Sequence, residues 1–110
     1  MILGLLIVSS AVVTTLHLNV IDDNVKGLEK SIESVSKTNR CLVVHEDKVF
    51  AGFGGELVAL INEKCFESLD APILRVAAKD SHVAYCPTSE DYILPQVDDV
   101  YNLLKKLLSY

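Results

Sequence analysis

Residues 40–75, RCLVVHEDKVFAGFGGELVALINEKCFESLDAPILR, constrain the fold more than any other stretch of the chain. An apolar run, Cys41-Leu42-Val43-Val44, passes into the polar His45-Glu46-Asp47. A glycine-rich turn follows, Gly52-Phe53-Gly54-Gly55, and then Leu57, Leu60 and Ile61 fall on one face of a helix. Asp70-Ala71-Pro72 stops that helix, and Ile73-Leu74-Arg75-Val76 resumes a strand. Strand, helix and strand in this order form a βαβ unit, which implies a parallel sheet covered by its crossover helix.

The flanking segments extend this pattern. Ile2 to Val8 reads as a buried strand, and Leu16 to Ile21 as a second one. Ser9 to Thr15 is open between extended structure and a short helix or turn. Leu28, Ile32 and Val35 lie at helical spacing in a short helix, Leu28 to Lys37, closed by Thr38-Asn39-Arg40. The third strand is Arg40 to His45, the second helix Gly54 to Ser68, and the fourth strand Ile73 to Ala77. Residues 78–96, with Pro87 and Pro95, read as a long irregular segment after a strand, where parallel-sheet proteins place their contacts. Val97 to Leu108 is a closing amphipathic helix, with Lys105 and Lys106 complementing its C-terminal dipole.

At 110 residues, positions 1–110 form a single domain. The net charge is −5 and the basic residues are scattered, which speaks against nucleic-acid binding and suits a basic protein partner or, equally, solubility alone. Cys41, Cys65 and Cys86 are distant and odd in number, which excludes a disulfide framework or zinc ribbon and reads as free thiols in a reducing compartment. Met1 to Ile21 carries no Asp, Glu, Lys or Arg, so a membrane segment is an alternative. Against it stand the missing basic n-region and the polar Ser9, Ser10, Thr14, Thr15, His17 and Asn19. Two buried strands are the favoured reading, because central strands are near-continuous apolar runs.

Little of the chain has the pattern of chemistry. His45 beside Glu46 and Asp47 could be a base or metal ligand, but neighbours on an extended chain point to opposite faces. Organisation of the loop or of a subunit contact is favoured for His45 and Glu46. Gly52-x-Gly54 before a helix could cradle an anion on its N–H groups. Yet Leu57 stands where a dinucleotide fingerprint needs a small residue, and no Lys-Ser/Thr pair follows. The glycines therefore read as letting the helix start close to the sheet. No nucleophile motif is present, and Glu90-Asp91 reads as a solvated acidic loop. Catalytic, cofactor-binding and metal-ligating residues are thus expected to be none, and Gly52, Gly54, Gly55 and Glu56 join His45 and Glu46 as loop-organising residues.

A run of ordered segments resembles the C-terminal domain of the transketolase superfamily. The nearest likeness is to the β subunit of the thiamine-diphosphate-dependent first component of branched-chain or pyruvate dehydrogenase complexes. The segments are Asn19-Val20-Ile21-Asp22, residues 31–40, Val43-Val44-His45-Glu46, Gly52-Phe53-Gly54-Gly55-Glu56, Phe66-x-x-Leu69-Asp70-Ala71-Pro72, Arg75-Val76, Asp80, Tyr85, Pro87 and Leu94-Pro95. The resemblance covers roughly the last ninety residues and is far more specific than any single motif. It implies a three-layer α/β/α domain with a mostly parallel sheet. In that family thiamine diphosphate and magnesium are held by preceding domains and a partner subunit, and no Gly-Asp-Gly followed by Asn occurs here, so no cofactor is expected in this chain.

What the resemblance implies for function is assembly. Such a domain supports a homo- or hetero-oligomer, and in pyruvate-type complexes it docks the basic subunit-binding domain of the acyltransferase core. Asp80 and the carboxylate of Tyr110 are the carried-over docking residues. The alternative is one part of a split thiamine-diphosphate enzyme whose cofactor-binding domains lie on other chains. The resemblance implies a cytoplasmic location, or the mitochondrial matrix in a eukaryote, with no membrane or nucleic-acid partner. The chain departs from the family at its start. Ser9 to Thr15 is too short for the helix the family places there, so a truncated N-terminal part and an uncovered sheet surface that promotes self-association are expected.

Overall fold

The computed structural model describes residues 2–8, 13–19 and 24–110; for residues 2–8, 13–19 and 24–27 it describes the backbone alone. Four strands and four helices follow in the order β1 (Ile2–Val8), β2 (Val13–Asn19), α1 (Asn24–Thr38), β3 (Cys41–Lys48), α2 (Phe53–Cys65), β4 (Leu74–Ala78), α3 (Pro87–Ile93) and α4 (Val97–Leu108). A 3-10 turn, Phe66–Ser68, extends the end of α2. The chain is an α/β domain, and its sheet order is β2-β1-β3-β4.

The βαβ unit is present. β3 and β4 pair in parallel, with Leu42, Val43 and Val44 opposite Leu74, Arg75 and Val76. The parallel relation is confined to that pair among the described strands. β1 runs antiparallel to β2, from Ile2 opposite Asn19 to Val8 opposite Val13, and antiparallel to β3. Parallel strands need a crossover of a dozen residues or so, and positions 9–12 between β1 and β2 cannot supply one. The second strand, expected from Leu16, begins at Val13. Residues 1, 9–12 and 20–23, including the ends of the alternative membrane segment, lie outside the described residues. No helix among the described residues is long and apolar enough to cross a membrane.

Alternation along β3 builds the three layers. Cys41 and Val43 face α1 and α2, where Val35, Leu57, Ile61 and Cys65 close one buried cluster. Leu42 faces the other way, onto Leu107 of α4 with Val76 and Ala71. Successive strand residues point to opposite faces, so a strand buried on both sides needs an unbroken apolar run. Cys41, Leu42 and Val43 meet that need and are fully buried. Leu28 and Ile32 pack at the edge of the first cluster, the stripe expected of α1.

The helix ends have local causes. α1 closes on Asn39, whose φ of 61° is the left-handed conformation that asparagine tolerates at a helix C-terminus. Its N–H donates to the Val35 carbonyl at 2.8 Å. α4 spans the expected residues and opens on a capping box, with the Gln96 N–H donating to Asp99 Oδ2 at 2.9 Å. α3 falls inside the segment expected to be irregular. Pro87 stands in its first turn, where a missing N–H costs nothing, and Ile93 is buried. The Lys79 N–H donates to the Ile93 carbonyl at 2.9 Å and ties α3 to the end of β4.

Candidate functional site

The candidate site is the turn between β3 and α2, at the end of the sheet where the parallel strands finish. It begins with an irregularity. Between Val44 and Lys48 of β3 the pairing with β4 advances only from Val76 to Ala78. Three residues, His45-Glu46-Asp47, thus stand opposite Ala77 alone, and the two surplus residues make a bulge. His45 points to the α2 side, is 2% exposed, and leaves both ring nitrogens without a hydrogen-bond partner among the described residues.

The glycines are explained by that ring. A Cβ on Gly54 would overlap the His45 imidazole, and one on Gly52 would run into the Lys48 carbonyl and lie 3.1 Å from His45 Cε1. Gly52 has φ −81° and ψ 162°, a conformation any residue adopts, so space and not backbone freedom dictates glycine there. At Gly55 a Cβ would stand 3.3 Å from the Arg75 guanidinium, a contact that a flexible side chain relieves. Gly52 and Gly54 thus let α2 start directly on the end of β3.

Tethers from β4 hold the turn itself. The Val49 N–H donates to the Ala78 carbonyl at 3.1 Å, and Arg75 Nη1 donates to the Val49 carbonyl at 2.9 Å. The Phe50 N–H donates to Asp80 Oδ1 at 2.9 Å. These bonds fix a turn in which Ala51 takes φ 55°, an unfavourable angle for a residue with a Cβ. Phe50 is left 78% exposed at the tip.

The charged form of His45 is disfavoured. Burial pushes its pKa below the ordinary histidine value; Asp47 opposes this shift, and the Arg75 guanidinium adds to it. Burial likewise pushes the Cys41 thiol up to about 12. Cys86 is different: it is exposed, and hydrogen bonds from Thr88 and Ser89 lower its pKa. Cys41, Cys65 and Cys86 are all free thiols.

The structure therefore gathers His45, Gly52, Gly54 and Gly55 into one cluster and adds Asp80 to it, while Glu46 and Glu56 face solvent. Among the described residues no hydrogen bond or ion pair joins Tyr110, exposed beyond α4, to this cluster. Arg75 was missed as a site residue. Its only sequence signal is a cation in an otherwise apolar strand. No group of three metal-ligating side chains occurs among the described residues. A Cβ on Gly52 or Gly54 would meet the Lys48 carbonyl or the imidazole, so both glycines sit in close contact with the end of β3.

Residues 26–100 match the family described as transketolase, C-terminal domain. The chain belongs to this family. Transketolase C-terminal domains with similar sequences occur in longer proteins. The pyruvate dehydrogenase E1 component subunit beta of Rickettsia conorii is 42% identical over 82 residues, which is 74% of this chain and 25% of that protein. The protein of the same name from Bacillus subtilis is 39% identical over 83 residues, 76% of this chain and 25% of that protein. The 2-oxoisovalerate dehydrogenase subunit beta of Pseudomonas aeruginosa reaches 48% over 54 residues, 49% of this chain and 15% of that protein. The chain thus spans about a quarter of the length of the first two relatives.

Proposed function

We propose that this transketolase C-terminal domain acts in the assembly of a 2-oxo acid dehydrogenase, through oligomerisation and docking of the acyltransferase core, and carries no catalytic residue or cofactor of its own. The observation that carries this reading is the packing of the glycine turn. Gly52 and Gly54 are accounted for by the buried side chain of His45 packed against them, without a phosphate. The relatives' names as β subunits supply the context. Net charge −5 favours a basic partner such as a subunit-binding domain. Asp80 stays exposed while Oδ1 accepts from Phe50, so its carboxylate remains open to a basic side chain. Tyr110, 57% exposed, is the second docking residue.

Sedimentation velocity in detergent-free buffer tests this proposal, with the chain alone and then with a basic subunit-binding domain. A self-associating species that shifts on adding the basic domain is expected. The shift should weaken with salt, because exposed charges are screened over roughly 10 Å at 0.1 M ionic strength. A monomer indifferent to the basic domain would count against both halves of the proposal.

A further inference from the structure

His45 is the most buried titratable side chain of the described site, and nothing in the assembly reading requires it to be a histidine. A phenylalanine or leucine would fill space beneath a glycine turn without leaving two polar nitrogens unpaired in the interior. Unpartnered buried polar groups carry a cost and call for an explanation. The ring is 2% exposed, and its nitrogens have no described partner. It lies against Gly54 in the first turn of α2, whose leading N–H groups bear partial positive charge. The turn above is held in an unfavourable conformation at Ala51 and is tethered by Arg75 of β4 and by Asp80 just beyond it.

We propose that His45 and its Gly52/Gly54 seat form a proton-operated latch that releases the start of α2 in weak acid. A neutral ring fits the buried seat. A protonated ring must bring two N–H donors and a positive charge to a place where neither nitrogen has a hydrogen-bond partner among the described residues, beneath a helix N-terminus and beside Arg75. Of the charged groups that face it, Asp47 on its own strand favours the proton, and Arg75 on β4 opposes it. α2 contributes no carboxylate that influences the ring; Glu56 in its first turn is exposed. The ring's escape is outward, through the bulge, and it unseats Gly52 and Gly54 together. The strained turn at Ala51 then relaxes, and the first turn of α2 loses its support.

The sign follows from the direction of the shift. The released state binds a proton at the ordinary histidine pKa of 6.5, and the seated state only at lower pH. Acid therefore favours release, and the seated state is fully retained above that value.

Amide hydrogen exchange of the full chain, followed by NMR from about pH 7.5 to about pH 5, tests the latch. Opening constants for Leu57 to Leu60, corrected for intrinsic exchange, should rise about tenfold per pH unit below 6.5 until the seated ring itself titrates. They should exceed the opening constants of Leu103 to Leu107 in α4. His45→Phe should abolish the pH dependence. Opening that is flat with pH, or equal in α2 and α4 at every pH, would overturn the latch. So would an unchanged slope in His45→Phe. If that variant does not fold, the His45 Cε1 proton of the native chain decides. A folded midpoint below that of the urea-unfolded chain supports the latch, and one at or above it refutes the latch.

Discussion

Replacing Gly54 with alanine should cost about 2 to 3 kcal/mol of unfolding free energy, although alanine is the better helix former. The added methyl falls on the His45 ring, and that ring is fully packed between β3 and α2. Neither the strand nor the helix can give way without disturbing the cluster of Val43, Leu57 and Ile61. Urea unfolding should show a lower midpoint with an unchanged slope, the mark of lost stability in an intact native state. The decisive variant is the double one. In a His45→Ala background the ring is gone, and the same Gly54→Ala change should be nearly free, giving a coupling of about 2 to 3 kcal/mol. Additive costs would show that the glycine is needed for some reason other than the ring.

A loss of about 2 to 5 kcal/mol is expected for Ile61→Ala, since truncating a fully buried aliphatic side chain leaves a cavity as well as a lost transfer energy. Ile61 is fully buried at the centre of the layer formed by α1, α2 and β3, touched from both helices and from the strand. Phe66, the residue that follows α2, is larger yet 71% exposed. Its change to alanine should stay within about 0.5 kcal/mol. The contrast separates burial from hydrophobicity. Equal effects at the two positions, measured by urea unfolding, would mean that Phe66 is covered in solution by a partner or a second copy.

These expectations rest on elements of unequal legibility. β3, α2 and β4 were readable because their signals are local: an apolar run, then helical spacing, then a proline stop. α4 was readable to the residue because its stripe is regular and its last turn is basic. The directions of β1 and β2 were not, because an apolar run fits a parallel or an antiparallel strand equally well. What decided it is the short link between them, whose length is informative only once both strands are known. α3 was missed because its seven residues give barely two turns, and Pro87 reads as loop chemistry until it is seen in a first turn.

The site divides in the same way. That Gly52 and Gly54 let a helix approach the sheet is a local inference. That the obstacle beneath them is His45 is not local, since the ring and the glycines meet only once α2 has packed back onto β3. The contributions of Arg75 and Asp80 are more distant still. They reach Val49 and Phe50 across 26 and 30 positions of sequence, through strand pairing that no single segment encodes.

Calorimetric titration of the full chain tests the central claim most directly, with thiamine diphosphate and magnesium in one experiment and a basic subunit-binding domain in the other. An assembly domain whose glycine turn is packed against its own histidine predicts heat of binding with the basic domain and none with the cofactor. Micromolar binding of thiamine diphosphate, with no heat from the basic domain, would contradict it and make this chain part of a cofactor site.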